Sequence, residues 1–239
     1  MAGISRAYKR RGNMVAMTGG PVLCLDAGSK ISYPGSGTTW TDLSGNANTG
    51  TLVNGPTFDS ANGGSIVFDG VNDYVQASAI SQTPRTVLYW FKPTVTITSS
   101  GPIYGLMDFG NVKNYDLFGF TGDITGSIGG ETIFWGSDWN SGGKITYIKN
   151  TIDTNWHHLA ITNTATVWDQ VYLDGVAVTT FFMGGGCGIW NADFTIGKGN
   201  WVADYFFSGR FSTVSIYSRA LSAAEITTNF ELTRGRYGI

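Results

Sequence analysis

Apolar and polar side chains alternate with a period of two through much of the chain, the pattern of strands with one buried face. In Ser65-Ile-Val-Phe-Asp69 the side chains of Ile66 and Phe68 fall on one side and those of Ser65, Val67 and Asp69 on the other. Asp69-Gly70 and Asn72-Asp73 tolerate tight or left-handed backbone, so a turn is expected before Tyr74 and Val75 resume an extended run. Residues 21–27 read as the first strand, with Val22, Cys24 and Asp26 alternating with Leu23 and Leu25. Residues 32–40, ending in Trp40, read as a loop, and residues 41–50 as a turn-dense segment. Short strands at 51–53 and 57–58 flank the turn signal Asn54-Gly55-Pro56. Arg85-Thr-Val-Leu-Tyr-Trp-Phe-Lys92 breaks the alternation, and this near-continuous apolar run predicts a central strand buried on both faces. Residues 99–150 read as strands interrupted by Gly129-Gly130 and Gly142-Gly143, and residues 156–162 as one further strand. Gln170 to Val178 predicts a hairpin with a type I′ turn at Asp174-Gly175, and 194–197 and 209–217 read as closing strands. Ser222-Ala-Ala-Glu225 is a capping box that starts one short helix, with Ile226, Phe230 and Leu232 facing the strands.

Composition agrees with many short strands joined by tight turns: of 239 residues 34 are Gly, 14% are aromatic and only 13% are charged. The chain is long enough to bury a sizeable core and reads as one body. Cys24 and Cys187 make no disulfide framework and are read as two separate thiols. The net charge of −2 conceals a segregation, because Arg6, Lys9, Arg10 and Arg11 crowd the start. Without those four, 11 Lys and Arg stand against 17 Asp and Glu, so the remainder carries −6. This divides the chain into a basic arm (1–20) ordered only against a partner, a body (21–232) and a basic, Gly-rich tail (233–239). A basic arm on an acidic body suggests attachment to something acidic, such as a neighbouring subunit. Four charges without interleaved aromatics are a small footprint for nucleic acid, which is not expected as a partner. No run approaches the ~20 apolar residues of a membrane span. No apolar segment follows Arg11, so Sec-type secretion is not expected either.

Several segments taken together carry a family resemblance. They are Leu25-Asp26, the run from Thr41 to Leu52, Phe68-Asp-Gly-Val-Asn-Asp-Tyr-Val75, Asn155 to Ala160, Val171 to Gly175, Phe194 to Gly197 and Ile216 to Ile226. In this order, over roughly residues 22–232, they resemble the laminin-G-like, concanavalin A-like jelly roll. The resemblance implies an all-β, antiparallel two-sheet β-sandwich with one short C-terminal helix. The ending Asn229 to Ile239 is similar to the last residues of laminin-G-like structural proteins of tailed bacteriophages. That similarity implies a non-enzymatic virion protein, a capsid decoration or accessory surface protein assembled in the host cytoplasm. Its partners would be copies of itself and other virion proteins. They would be reached by Arg6, Lys9, Arg10 and Arg11 of the arm and by Arg234, Arg236 and Tyr237 of the tail. The alternative is a carbohydrate-binding adhesion module on a tail fibre or head surface, recognising a host-surface glycan.

The candidate chemistry follows from single residues. Glucanases of this fold carry E-x-D-x-x-E on one strand, but none of Glu131, Glu225 and Glu231 begins such a pattern, so no catalysis is expected. His157 and His158 fall on opposite faces of one strand, one inward and one outward, and cannot chelate together. Many relatives bind calcium beside an Asp-x-Ser-Gly-Asn loop, which survives here as Asp42 to Asn46. Ser212 and Thr213 replace the acids of the late strand that would complete the site. Asp42 and Asn48, the residues left for calcium, are expected to bond turn amides instead, and no cofactor is expected. Trp135, Trp139, Trp190 and Trp201, with Tyr205, lie in Gly-, Ser- and Asn-rich segments. They are candidates either for a sugar platform or for core and interface.

Overall fold

The computed structural model describes residues 19–80, 85–98, 104–109, 116–120, 133–137, 145–148, 151–163, 168–183, 193–199 and 205–239. The first strands are β1 (Leu23–Asp26), β2 (Thr39–Trp40), β3 (Gly50–Val53), β4 (Thr57–Asp59), β5 (Ser65–Asp69), β6 (Tyr74–Ala77) and β7 (Thr86–Pro93). The middle of the chain forms β8 (Tyr104–Phe109), β9 (Asp116–Phe120), β10 (Ile133–Ser137), β11 (Ile145–Ile148), β12 (His157–Asn163) and β13 (Trp168–Leu173). Then come β14 (Val176–Val178), β15 (Phe181–Met183), β16 (Phe194–Ile196), β17 (Lys198–Gly199), β18 (Tyr205–Phe206), β19 (Ser208–Tyr217) and helix α1 (Ala223–Thr233). One sheet runs β14-β13-β12-β7-β19-β5-β4, with β1 also on β19; the other runs β15-β11-β10-β9-β8-β16-β6-β3-β2. Strands β17 and β18 form a separate two-stranded ribbon.

Local chemistry explains the turns. Asp174 (φ 50°) and Gly175 (φ 77°) both adopt the left-handed region, as a type I′ hairpin between β13 and β14 requires. In the β5–β6 turn, Asp69 Oδ1 accepts from the amides of Val71, Asn72 and Asp73 at 2.7, 3.2 and 3.4 Å. These bonds hold the Asp69 carboxyl below the usual range. Strand β19 changes edge partner along its length, pairing β5 through Ser208–Phe211 and β1 through Thr213–Ile216. The register shift falls at Ser212, whose buried hydroxyl donates to the Gly64 carbonyl at 2.7 Å.

The two sheets face each other across the main core. Leu25, Phe68, Tyr89, Phe91, Ile161 and Phe211 come from the first sheet, and Trp40, Leu52, Val75, Met107, Phe194 and Ile196 from the second. Trp40, expected in a loop, instead pairs with Gly50 in a two-residue strand, and its ring is fully buried. The first sheet is also covered on its outward face. Leu88, Ala160, Tyr172 and Tyr217 pack with Leu221 and Ile226, and Trp90 and Trp156 with Phe230 and Tyr237. This second layer explains the unbroken apolar run of β7, whose odd-numbered residues meet the other sheet while Leu88 and Trp90 meet the helix side.

Helix α1 begins as its sequence predicts. Ser222 Oγ accepts from the Glu225 amide at 3.3 Å, and Glu225 Oε2 accepts from the Ser222 amide at 2.9 Å. Ile226 and Phe230 are buried, but Leu232 is 40% exposed, contrary to expectation. Two residues beyond Phe230, at about 100° per residue, Leu232 lies about 200° round the helix and so off its buried face. No helix among the described residues is long and apolar enough to cross a membrane.

Candidate functional site

The tail, expected from the sequence to reach neighbouring subunits, packs against its own body. Arg236 pairs with Asp26 at 2.8 Å and donates to the carbonyls of Asn62, Gly63 and Gly64 at 3.0–3.1 Å. Tyr237 is buried, its ring stacked on Trp90. Arg234 donates to the Ile239 carbonyl at 2.7 Å and pairs with Glu231 at 3.3 Å. The two tail cations, Arg234 and Arg236, are thus engaged within their own chain. Arg6, Lys9, Arg10 and Arg11 lie outside the described residues, as do Trp139, Trp190, Trp201 and Cys187. Trp135 stands in β10, in register with Phe118 and Thr146, and its side chain is outside the described residues.

Asp42 is an acceptor for the turn, as expected. Its oxygens take the amides of Cys24 and Ser44 at 2.8 Å and of Asn48 at 3.0 Å, and the Ser44 hydroxyl at 2.7 Å. Asn48 differs from expectation, because its Nδ2 donates to the Val22 carbonyl at 2.8 Å instead of its side chain accepting from amides. Among the described residues no group of three or more His, Cys, Asp and Glu is placed to hold a metal ion.

The histidines alternate as the strand predicts, but both are buried, and the outward one more so: His158 is 0% exposed and His157 9%. The outward face of β12 lies beneath α1, where His158 Nε2 meets Asn229 Oδ1 at 3.1 Å. Burial lowers the His158 pKa to about 4, outweighing that hydrogen bond. His157 sits between Asp174 and Asp153, at 3.0 and 3.2 Å. Burial alone would lower its pKa, but the two carboxylates outweigh it and raise it. Glu225 accepts two hydrogen bonds from Arg219, at 2.6 and 3.0 Å, and these lower its pKa to about 2. A carboxyl so acidic is a poor proton donor near neutral pH.

The second sheet differs from the first on its outward face. Trp40, Leu52, Val75, Ala77, Met107, Phe194 and Ile196 point to the core, so the intervening positions point away from it. Those positions form one cross-strand row. Thr39 pairs with Thr51, Thr51 with Gln76, Gln76 with Thr195, and Thr195 with Asp108. Four steps of roughly 4.8 Å make the row about 19 Å long. It runs from exposed Thr39 and Thr51, through half-buried Gln76, to buried Thr195 and Asp108. The buried end lies by the β17–β18 ribbon, where Gly105 lets the backbone of Gly199 and Tyr205 approach so closely that a Cβ would meet them at 2.0 and 2.6 Å. Thr195 Oγ1 donates to the Lys198 carbonyl at 2.8 Å, and Gln76 Nε2 to the Phe194 carbonyl at 3.2 Å. The Lys198 ammonium lies over the Tyr74 ring at 5.0 Å and the Phe206 ring at 5.6 Å. Of the aromatic candidates, half-buried Tyr205 belongs to this ribbon. The exposed hydroxyls of Thr39 and Thr51 and the half-buried Gln76 amide, near the Tyr74 ring and the Lys198 ammonium, form a surface suited to a polyhydroxylated chain, with Thr195 and Asp108 buried behind its inner end.

A laminin-G family model, described as the concanavalin A-like lectin/glucanases superfamily, matches residues 69–227. The chain belongs to this superfamily. No curated protein sequence matches it. Among solved structures it is similar to domain 4 of AbnA, a GH43 extracellular arabinanase from Geobacillus stearothermophilus, solved in complex with arabinotriose. The identity is 17% and the TM-score 0.65, over 88% of this chain and 98% of that domain. It is also similar to the binding domain of botulinum neurotoxin DC in complex with SialylT, at 12% identity and TM-score 0.63 over 90% of this chain. A botulinum neurotoxin type C structure, whose cell entry depends upon interaction with two ganglioside molecules, matches at 11% identity and TM-score 0.61 over 90% of this chain. The superfamily fold of this chain spans about half the length of the two neurotoxin chains, 52% and 51%. The jelly-roll sandwich with one short C-terminal helix expected from the sequence is the observed fold.

Sequence reasoning missed the row. Its residues are ordinary singly, and the only sequence signal is that each is polar at an alternating position of its own strand.

Proposed function

We propose that this protein is a non-enzymatic carbohydrate-binding module that uses the outward face of the second sheet. The observation that carries the reading is the accessible part of the polar row, Thr39, Thr51 and Gln76, flanked by Tyr74 and Lys198. The fold supports it, since similar structures were solved with arabinotriose or SialylT. Calorimetric titration with arabinotriose and with a sialylated oligosaccharide tests it. Gln76→Ala is expected to weaken binding at least tenfold, while Val176→Ala, exposed on the other sheet, leaves it unchanged. Absence of binding across a broad glycan array, or equal binding by both variants, would overturn the reading.

A second reading concerns where the module works. The four cations among the first eleven residues precede a remainder of net charge −6, and the ending from Asn229 resembles that of tailed-phage structural proteins. We propose that the module is displayed on a phage virion and anchored there by the arm, with the tail serving its own fold. Deleting residues 1–12 is expected to leave a folded body that no longer attaches to particles. Undiminished attachment would remove the anchoring role.

A further inference from the structure

Only two asparagines in the sequence precede a glycine, Asn54 and Asn62. Glycine has no Cβ, so its amide nitrogen is unhindered and its backbone turns freely. Once deprotonated, that nitrogen can attack the side-chain carbonyl carbon of the asparagine before it. The two sites share this chemistry. Both asparagines are exposed, and both adopt the left-handed region, with φ 68° at Asn54 and 50° at Asn62. Their surroundings differ.

Asn62 is clamped. Its side-chain oxygen accepts from the Trp156 indole at 3.2 Å, and its carbonyl accepts from Arg236 Nε at 3.0 Å. It lies within a short 3-10 turn, Ala61–Gly63. The Arg236 side chain covers Gly63 so closely that a Cβ there would meet Nε at 2.7 Å. Arg236 is itself anchored by its pair with Asp26 at 2.8 Å. The Asn62 side chain and the Gly63 nitrogen cannot turn toward each other without breaking these contacts.

Asn54 lies in the turn between β3 and β4, with Gly55 exposed beside it. A Cβ at Gly55 would meet nothing within 4 Å. Among the described residues nothing accepts from the Gly55 amide. One bond holds the asparagine side chain, in which Nδ2 donates to the Asn72 carbonyl of the β5–β6 turn at 2.8 Å. A single exposed hydrogen bond contributes little net stability and opens readily. The reacting atoms are therefore free to meet at Asn54 and kept apart at Asn62.

We infer that Asn54 is a site of spontaneous modification, converting to aspartate and isoaspartate without an enzyme. The Gly55 nitrogen gives its proton to hydroxide and bonds to Asn54 Cγ. Nδ2 takes up a proton and leaves as ammonia, closing a succinimide ring. Water then adds to either ring carbonyl. Breaking the bond from nitrogen to Cγ gives aspartate, and breaking the bond from nitrogen to the main-chain carbonyl carbon gives isoaspartate, whose backbone runs through Cγ. No oxidation or reduction occurs. Either product adds one negative charge to a chain of net charge −2. Each also loses the Nδ2 donor, so the bond to the Asn72 carbonyl that ties the two turns together is gone. Asn54 directly follows Val53, the partner of Tyr74 in the β3–β6 ladder, so the change falls at the margin of the proposed glycan face. The inference needs no ligand and does not depend on that reading.

The test incubates the full chain at mildly alkaline pH in isotopically labelled water, and quantifies the peptides around each asparagine by mass spectrometry. In the folded protein Asn54 is expected to convert at least tenfold faster than Asn62, with label incorporated and with aspartate and isoaspartate both present. In guanidinium chloride, where the clamp on Asn62 is gone, the two are expected to convert at similar rates. Asn54→Gln, whose longer side chain must close a larger ring, is expected to remove the acidic form seen by ion exchange. Persistence of Asn54 in the folded protein while the denatured protein converts would overturn the inference, as would equal rates at the two asparagines of the folded protein. An undiminished acidic form in Asn54→Gln would do the same.

Discussion

The ring of Tyr237, two residues before Ile239, stacks on Trp90 of the central strand β7 with centroids 4.0 Å apart and planes inclined by 22°. Trp90 is further tied to α1, its indole N–H donating to Thr233 Oγ1 at 2.9 Å. The tail is therefore part of the core that covers the first sheet. Tyr237→Ala is expected to lower stability by about 3 kcal/mol, a typical cost of emptying a buried aromatic site. Arg236→Ala, which removes one ion pair and three bonds to carbonyls, is expected to cost about 2 kcal/mol. Urea unfolding curves read both. A Tyr237→Ala midpoint equal to wild type would mean that the tail is not docked in solution.

The two adjacent histidines pull stability in opposite directions with pH. The folded pKa of His158 lies near 4 against 6.5 unfolded, so between those values the unfolded chain binds more protons. Stability contributed at this site is present above pH 6.5 and is lost as pH falls toward 4. The folded pKa of His157 is raised above 6.5, so its contribution is complete below 6.5 and is lost as pH rises through the folded value. His158→Asn is expected to flatten the acid side of the stability profile. His157→Asn is expected to destabilise more at pH 6 than at pH 9. Denaturation measured across pH 4–9 decides both, and parallel curves for wild type and variants would contradict the assignment.

Gly105 is where the β17–β18 ribbon touches the second sheet. A Cβ there would lie 2.0 Å from the Gly199 amide nitrogen and 2.6 Å from the Tyr205 carbonyl oxygen, both rigid backbone atoms. Gly105→Ala is expected to lift the ribbon and cost at least about 2 kcal/mol. It is also expected to weaken glycan binding, because Lys198 moves with the ribbon. Normal stability together with normal binding would show that the contact is not maintained.

Asp42 serves four donors, among them the buried Cys24 amide. Asp42→Ala leaves these groups unmatched and is expected to lower stability by about 3 kcal/mol. Calcium or a chelator is expected to leave the melting temperature of the wild type unchanged, since the carboxylate is already occupied by the protein. A melting temperature raised several degrees by calcium would contradict this account.

Local chemistry made several features legible in the sequence. Alternation placed Ile66 and Phe68 inward, Asp174-Gly175 specified a type I′ turn, and Ser222 with Glu225 capped the helix. Each depends on residues within a few positions of one another, where backbone geometry and side-chain reach are set by the nearest neighbours. The apolar run of β7 likewise announced a strand covered on both faces, though not that α1 and Tyr237 supply one of the covers.

What tertiary structure alone decided is who stands beside whom. Thr39, Thr51, Gln76, Thr195 and Asp108 become neighbours only through the pairing order β2-β3-β6-β16-β8, which brings residues 76 and 195 opposite each other. The outward-facing His158 is buried only because α1 returns across β12, and the tail cations are engaged only because Asp26 and the Gly63–Gly64 carbonyls wait on the body. Alternation along a strand is determined by the pleat of its own backbone. Register across strands is determined by contacts far apart in sequence, and the row depends on that register.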